Sequence, residues 1–349
     1  MSPEYKIING EYLRDLLDQP RALTHTLASL KVSPPLEKLA KRLGKNGFER
    51  IVLTGMGSSF HALHPLNLTL VGQGLTPVMV ETSELVHYKR RFFDPRTLVI
   101  AVSQSGRSAE VIRLLEVNRN RSAIVAITNT ADSPLARHAD AFVLTQAGQE
   151  FSVSCKTYVT ALMALSWLGD LFCGRNLGLT QADWRQAAPA VSAYLSGWES
   201  HVRCLSKKLE NTRHLFLVGR GSSLAAVGTG ALIVKEADHF HAEGMSSAAF
   251  RHGPFEMLSE ETVVIVFAGD TKTSQLNRRL LQDILDQQGK AALVAEKVAC
   301  PAFCIAECPA SVRPVLEILV VQMITLALAA QAQREPGRFE LTSKVTTTE

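Results

Sequence analysis

Short apolar runs of four to six residues recur along the chain, and most are followed by a longer stretch whose apolar residues fall three and four apart. The runs RIVLT (50–54), PVMVE (77–81), LVIAVS (98–103), AIVAIT (123–128) and AFVLT (141–145) predict strands, with helices between most of them. Strands that are apolar throughout and alternate with helices imply a parallel sheet covered on both faces. The same order then recurs, with LFLVG (215–219), TVVIVFA (262–268) and AALVAE (291–296) as the main strands of a second unit. GMGSS places Gly57 before Ser58 and GRGSS places Gly221 before Ser222, an offset of 164, and Val99 and Val263 lie inside their strands at that same offset. Units of this length are domains and not solenoid repeats. The expected division is a helical segment over 1–45, a first α/β domain over 46–175, a linking helical stretch over 176–210, a second α/β domain over 211–335 and a tail over 336–349. Helical period from about 154 to 209, broken near CGRNLG, holds the connection.

Composition narrows the class. With 349 residues, 46% of them hydrophobic, the chain can fill two ordinary cores. Its net charge of +4 comes from scattered Lys and Arg, with no polybasic tract and no interleaved aromatics. That pattern argues against a nucleic-acid partner and suits a small anionic ligand. The start of the chain has no basic segment followed by an apolar one, so export is not expected. The most apolar stretch, VLEILVVQMITLALAAQA (315–332), is interrupted by Glu317, Gln322 and Thr325. It predicts a buried helix and no membrane partner. The six cysteines, Cys155, Cys173, Cys204, Cys300, Cys304 and Cys308, include no CxxC pair and have no adjacent His. With Pro301 and Pro309 nearby, FCIAEC reads as a short strand, and the thiols read as reduced and cytoplasmic with no metal.

Candidate chemistry lies where strands become helices. In a parallel α/β sheet, ligands settle outside the carboxyl ends of the strands, where helix amino termini offer N–H groups and partial positive charge. VSQSGRSAE places Ser103, Gln104, Ser105 and Ser108 at such an edge, and Gly106 lets the backbone fold around an oxyanion. TGMGSSFHA does likewise with Ser58 and Ser59 after Gly55 and Gly57. Ser at a helix start is most often only an N-cap; two such turns on strands that can be neighbours raise a phosphate site above that alternative. In the second unit GRGSS keeps the first turn, but the counterpart of the other is FAGDTKT, where Asp270 repels an anion.

These residues resemble the sugar isomerase (SIS) domain family, and the tandem pair resembles the isomerase half of glucosamine-6-phosphate synthase. YLRDLLDQPRAL, GSSFHA, SQSGRSAE, TNTADSPLARHAD, GALIVKEADHFHAE, RHGPFEML and the closing LTSKVTTTE carry the likeness over most of the chain. It implies an α/β protein of two tandem SIS domains, each a three-layer α/β/α sandwich around a mainly parallel five-stranded sheet. The resemblance places the phosphate of a sugar 6-phosphate on Gly57, Ser58, Ser59, Ser103, Gln104, Ser105 and Ser108. AGQEFSVSCKTY is similar to a sugar-contacting loop but one residue short, with Ser154 as its ligand. Glu236 matches the base that moves a proton between C1 and C2, His252 the histidine that opens the sugar ring, and Lys344 the tail lysine at the open-chain carbonyl. Lys235, beside the base, would steady an enediolate.

The residue types suit that chemistry. A carboxylate held out of water can take a proton next to a carbonyl, imidazole passes protons near neutral pH, and an amine activates a carbonyl covalently. No cofactor is expected. The likeness departs at Ala249, where many relatives carry a glutamate, at REPGRFEL, and in the lack of a preceding glutaminase domain, so glutamine-driven ammonia transfer within this chain is not expected.

The activity implied is an aldose–ketose isomerase or deaminase on an amino-sugar or ketose 6-phosphate, or alternatively a deglycase acting on a fructosyl-amino-acid 6-phosphate. A non-catalytic sugar-phosphate sensor is the reading from another class. A sensor that regulates transcription normally carries a helix-turn-helix domain, and the first 45 residues lack a basic recognition helix. The resemblance also implies a cytoplasmic homodimer in which His252 reaches the partner's site.

Overall fold

Both alternating sets of positions in the central strands are apolar, so neither face of their sheet can be left to water. The computed structural model describes residues 3–341, 343–346 and 348, and two compact units divide the chain. One comprises residues 21–149, 156–185 and 341–349; the other comprises 1–20, 150–155 and 186–340.

The first of these units holds a parallel sheet of β1 (Arg50–Gly55), β2 (Pro77–Glu81), β3 (Thr97–Val102), β4 (Ala123–Thr128) and β5 (Ala141–Leu144), in the order β2-β1-β3-β4-β5. Val52, Val80, Val99, Ala101, Ile124 and Ala126 point to one face and pack with Leu85, Val86, Val111, Leu114 and Leu135 from three helices. Those helices are Thr82–Tyr88, Ala109–Asn118 and Pro134–His138. The other alternation, Ile51, Leu53, Leu98, Ile100, Val125 and Ile127, is equally buried.

The second unit holds β6 (His214–Gly219), β7 (Ala242–Ser246), β8 (Thr262–Phe267) and β9 (Lys290–Val294), parallel, in the order β7-β6-β8-β9. Its sheet has four strands among the described residues, where five were expected. At the fifth position FCIAEC contributes one isolated bridge, Cys304 to Ala295, because the chain from Pro301 to Phe303 turns as a 3-10 helix. Proline donates nothing to a strand ladder, and Pro301 starts that turn. β7, the edge strand AEGMS, is too polar to be read from hydropathy. Gly57 and Gly221 share a left-handed backbone, at φ 53° and 60°, so the offset of 164 is structural at that turn. Strand pairing sets Thr97 opposite Arg50 and Thr262 opposite His214, so across β3 and β8 the offset is 165, between 97 and 262.

The helix Arg313–Gln331 is long and apolar enough to cross a membrane by length and composition, yet it is almost wholly buried in protein. Its three polar interruptions each find a partner. Glu317 accepts from the Ser223 hydroxyl at 2.8 Å, Gln322 accepts from Gln19 Nε2 at 2.9 Å, and Thr325 lies 3.2 Å from the Tyr12 hydroxyl. Gly230 lets the helix Leu224–Asp238 press against β6 and this core helix, since a Cβ there would stand 2.7 Å from Leu217 and 3.1 Å from Val321.

Candidate active site

The order β2-β1-β3 reverses direction between β1 and β3, and a crevice opens at such a switch point beyond the carboxyl ends of the strands. Gly55 and Val102 are paired, so the turn after β1 and the loop after β3 leave the sheet side by side. The first turn begins at Gly57, whose positive φ no β-branched residue tolerates, and continues through buried Ser58 and half-buried Ser59.

The second loop is braced from within. Gly106 N–H donates to the Ser103 hydroxyl at 3.1 Å, and Arg107 N–H donates to the Ser105 hydroxyl at 3.3 Å. The Gln104 carbonyl accepts from Asn129 N–H at 3.1 Å and from the hydroxyls of Thr128 and Thr130 at 3.2 and 3.3 Å. Gly106 sits at φ 60° with its Cα against Ser133, where a Cβ would meet the hydroxyl at 2.4 Å. Asn129, Thr128, Thr130 and Ser133 are therefore the residues that shape the loop, and the sequence marked them only as part of a familiar segment. Ser108 occupies the N-cap of Ala109–Asn118 with extended backbone, but its hydroxyl makes no capping bond. Ser133, at the next helix, does cap, accepting from Ala136 N–H at 3.2 Å. Capping thus does not account for Ser108.

The tail belongs to this unit. Ala109 N–H donates to the Thr346 carbonyl at 3.1 Å, which lays the tail across the start of the helix that follows the serine loop. Lys344 is two residues away and half-buried.

The other predicted residues lie in the second unit. Glu236 is half-buried near the end of Leu224–Asp238. Tyr12, wholly buried, has its phenol pushed well above the ordinary value, first by burial, then by Cys155 and by the carboxylates of Asp238 and Glu236, which outweigh the lowering by its Thr325 hydrogen bond. Asp238 is itself buried with its carboxyl raised by desolvation, and Arg334 opposes the shift. Exposed Lys235 donates to the Ala242 carbonyl at 3.2 Å. His252 is exposed and follows the helix Ser247–Arg251. Because Leu224–Asp238 runs back from the carboxyl end of β6 to the start of β7, Glu236 stands at the amino edge of the sheet. His252, beyond the end of β7, stands at the carboxyl edge. Ser154 is half-buried in segment 150–155, where Phe151 N–H donates to Asp15 at 2.6 Å, and it belongs to this unit and not to the serine turns.

The repeat of the serine turns is altered here. Ser103 N–H donates to the Ile127 carbonyl and Ala268 N–H to the Val294 carbonyl, so Ala268 stands where the first unit has Ser103. Ser223, the counterpart of Ser59, is held by Glu317, which burial pushes up to about 8. The hydroxyl at this turn of the second unit is thus engaged by a carboxyl of the chain itself. Their separation of 94 residues hid this pair from sequence reasoning. Among the described residues no group of three or more His, Cys, Asp and Glu side chains is arranged to hold a metal ion.

Comparison with known proteins identifies the family and the fold. A family model described as SIS domain matches residues 47–169 and 208–302. A glutamine–fructose-6-phosphate aminotransferase (isomerizing) of Pyrococcus horikoshii is 28% identical over 97% of this chain. The chain spans 57% of that relative's length. Among solved structures, the C-terminal domain of glucosamine-fructose-6-phosphate aminotransferase from Francisella tularensis superposes with TM-score 0.81 at 21% identity, covering 97% of this chain and 98% of that one. Glucosamine-6-phosphate deaminase from Thermotoga maritima gives TM-score 0.77 at 17% identity, covering 97% and 100%. At these identities the two structures speak for the fold.

Proposed function

Because the chain belongs to the SIS domain family, we propose that it is a phosphosugar isomerase or deaminase that moves a proton between C1 and C2 of an amino-sugar or ketose 6-phosphate. The supporting observation is the pair of adjacent turns at the switch point, with a Ser108 hydroxyl that no helix cap consumes. In this reading Gly57, Ser58, Ser59, Ser103, Gln104, Ser105 and Ser108 hold the phosphate with hydroxyls, an amide and backbone N–H groups. Ser154 contributes to the sugar. Lys344 meets the open-chain carbonyl and can form a Schiff base with a ketose. Glu236 takes the proton from one carbon and returns it to the next through an enediol. Lys235, beside Glu236 and donating to the Ala242 carbonyl, steadies the enediolate.

Ring opening needs His252, and the length of β7 separates it from Glu236 within one chain. The rise from Ala242 to Ser246 alone is about 13 Å. We therefore assign His252 to the site of a second copy, in a homodimer. The six free thiols suit a reducing compartment such as the cytoplasm.

The test is a substrate panel: glucosamine 6-phosphate, fructose 6-phosphate with ammonia, and fructosyl-amino-acid 6-phosphates, read for ammonia, free amino acid and sugar-phosphate products, with Glu236→Gln as control. Turnover of a hexose phosphate that the variant loses supports the isomerase or deaminase. Release of an amino acid that the variant loses assigns the deglycase. Tight binding without turnover, undiminished in the variant, replaces the enzyme with a sensor.

A further inference from the structure

Three thiols converge in the second unit, and none of them is a residue assigned to the sugar. The sulfurs of Cys204 and Cys300 lie 3.0 Å apart, although 96 residues separate them in sequence. Cys304 also acts on the same buried tyrosine, Tyr194. Cys204 is on the helix Trp198–Lys208, and Cys300 immediately precedes the 3-10 turn Pro301–Phe303. That turn is fixed firmly. The Tyr194 hydroxyl donates to the Ala302 carbonyl at 2.7 Å, the His201 ring stacks on Tyr194 at 4.5 Å, and Ala302 and Phe303 are buried. Ala295 N–H donates to the Phe303 carbonyl and Ile305 N–H to the Ala295 carbonyl, both at 3.2 Å, which ties the turn to the residue following β9. Both sulfur-bearing residues are half-buried, not sealed in the core.

We propose that Cys204 and Cys300 are an oxidisable dithiol, a covalent modification site whose co-reactant is a hydroperoxide. An S–S bond is about 2.05 Å long, so the sulfurs need to close by only about 1 Å. In the first step the Cys300 sulfur, as thiolate, attacks the peroxide; an S–O bond forms, the O–O bond breaks, and hydroxide leaves to be protonated to water. In the second step the Cys204 sulfur attacks the Cys300 sulfenic acid; the S–S bond forms, the S–O bond breaks, and the Cys204 proton leaves with the hydroxide as a second water. Two electrons pass from the sulfurs to one peroxide, so the step balances as two thiols and one peroxide giving one disulfide and two waters. Burial and the neighbouring Cys300 sulfur push the Cys204 thiol up to about 11, which keeps its proton on at neutral pH, and the same two steps balance with the roles of the sulfurs exchanged.

The product is a cross-link between a helix that packs on the buried core helix Arg313–Gln331 and the turn after β9. It closes a long loop of the second unit, and the folded state gains relative to the unfolded one. In a reducing compartment the bond forms under peroxide and is removed by thiols.

The inference is independent of the sugar-phosphate reading and is tested without substrate. The intact folded protein is treated with hydrogen peroxide at neutral pH, denatured, alkylated, digested without reduction and read by mass spectrometry. A Cys204–Cys300 linked peptide is expected, reversed by dithiothreitol, with a melting temperature several degrees higher in the oxidised protein. Cys204→Ser is expected to leave Cys300 alkylated or over-oxidised, and Cys304→Ser to leave the link intact. Full alkylation of both thiols in the treated wild type, or a Cys300–Cys304 link in place of Cys204–Cys300, overturns the proposal. Both readings come from the wild-type protein, so a variant that folds poorly does not decide the outcome.

Discussion

Glu236 and His252 stand at opposite edges of the second sheet, separated by the length of β7. If both act on one sugar, they come from different copies of the chain. Mixing Glu236→Gln with His252→Ala, each inactive alone, then restores about a quarter of wild-type activity, because half of randomly formed dimers are hybrids and each hybrid keeps one complete site. Mixtures as inactive as their components place both residues in one protomer's site and remove the dimer from the account.

Ser108 and Ser133 occupy equivalent N-cap positions, but only Ser133 makes the capping bond. Ser133→Ala therefore costs about 1 kcal/mol of stability, measured by urea unfolding. Ser108→Ala leaves stability within about 0.5 kcal/mol and weakens sugar-phosphate binding by roughly tenfold, measured by calorimetry. A stability loss at Ser108 equal to that at Ser133, with binding untouched, returns Ser108 to a structural role.

Gly106 needs both its left-handed backbone and its missing side chain. Gly106→Ala is expected to cost about 2 kcal/mol or more, from backbone strain together with the clash against Ser133, and to weaken phosphate binding. Gly74, at φ 81° with no atom within 4 Å of an added Cβ, is the matched control and loses only about 1 kcal/mol.

Glu317 gives the fold a pH dependence. Burial raises its carboxyl from 4.5 to about 8. Between those values the folded chain holds a proton that the unfolded chain has released, so stability falls as pH rises through this window and levels off above it. Glu317→Gln keeps an acceptor for Ser223 and flattens the fall, which is on the order of a few kcal/mol. Unfolding curves from pH 5 to pH 9 check this, and identical slopes in wild type and variant contradict it.

The central strands were legible because both of their faces are buried, which leaves long runs such as LVIAV with no polar alternation. β7 was not legible, since Glu243, Gly244 and Ser246 give an edge strand no apolar signature. The expected fifth strand of the second sheet failed on Pro301, whose ring starts a turn where a ladder would need donors. At the candidate site, local chemistry was visible: the Gly and Ser content of two strand-to-helix turns, and the match of Glu236 and His252 to a family pattern. Long-range pairings were not visible. Ser223 with Glu317 and Cys204 with Cys300 are each joined across more than ninety residues, and no periodicity connects such positions.

Proton transfer between C1 and C2 is read directly by deuterium exchange at those carbons, followed by proton NMR in heavy water with fructose 6-phosphate and glucosamine 6-phosphate as substrates. The wild-type protein is expected to exchange a C1 or C2 proton of at least one of them, and Glu236→Gln, still binding the sugar, to slow exchange by roughly a hundredfold or more. Binding of both sugars with no exchange, or exchange that survives Glu236→Gln, would contradict it.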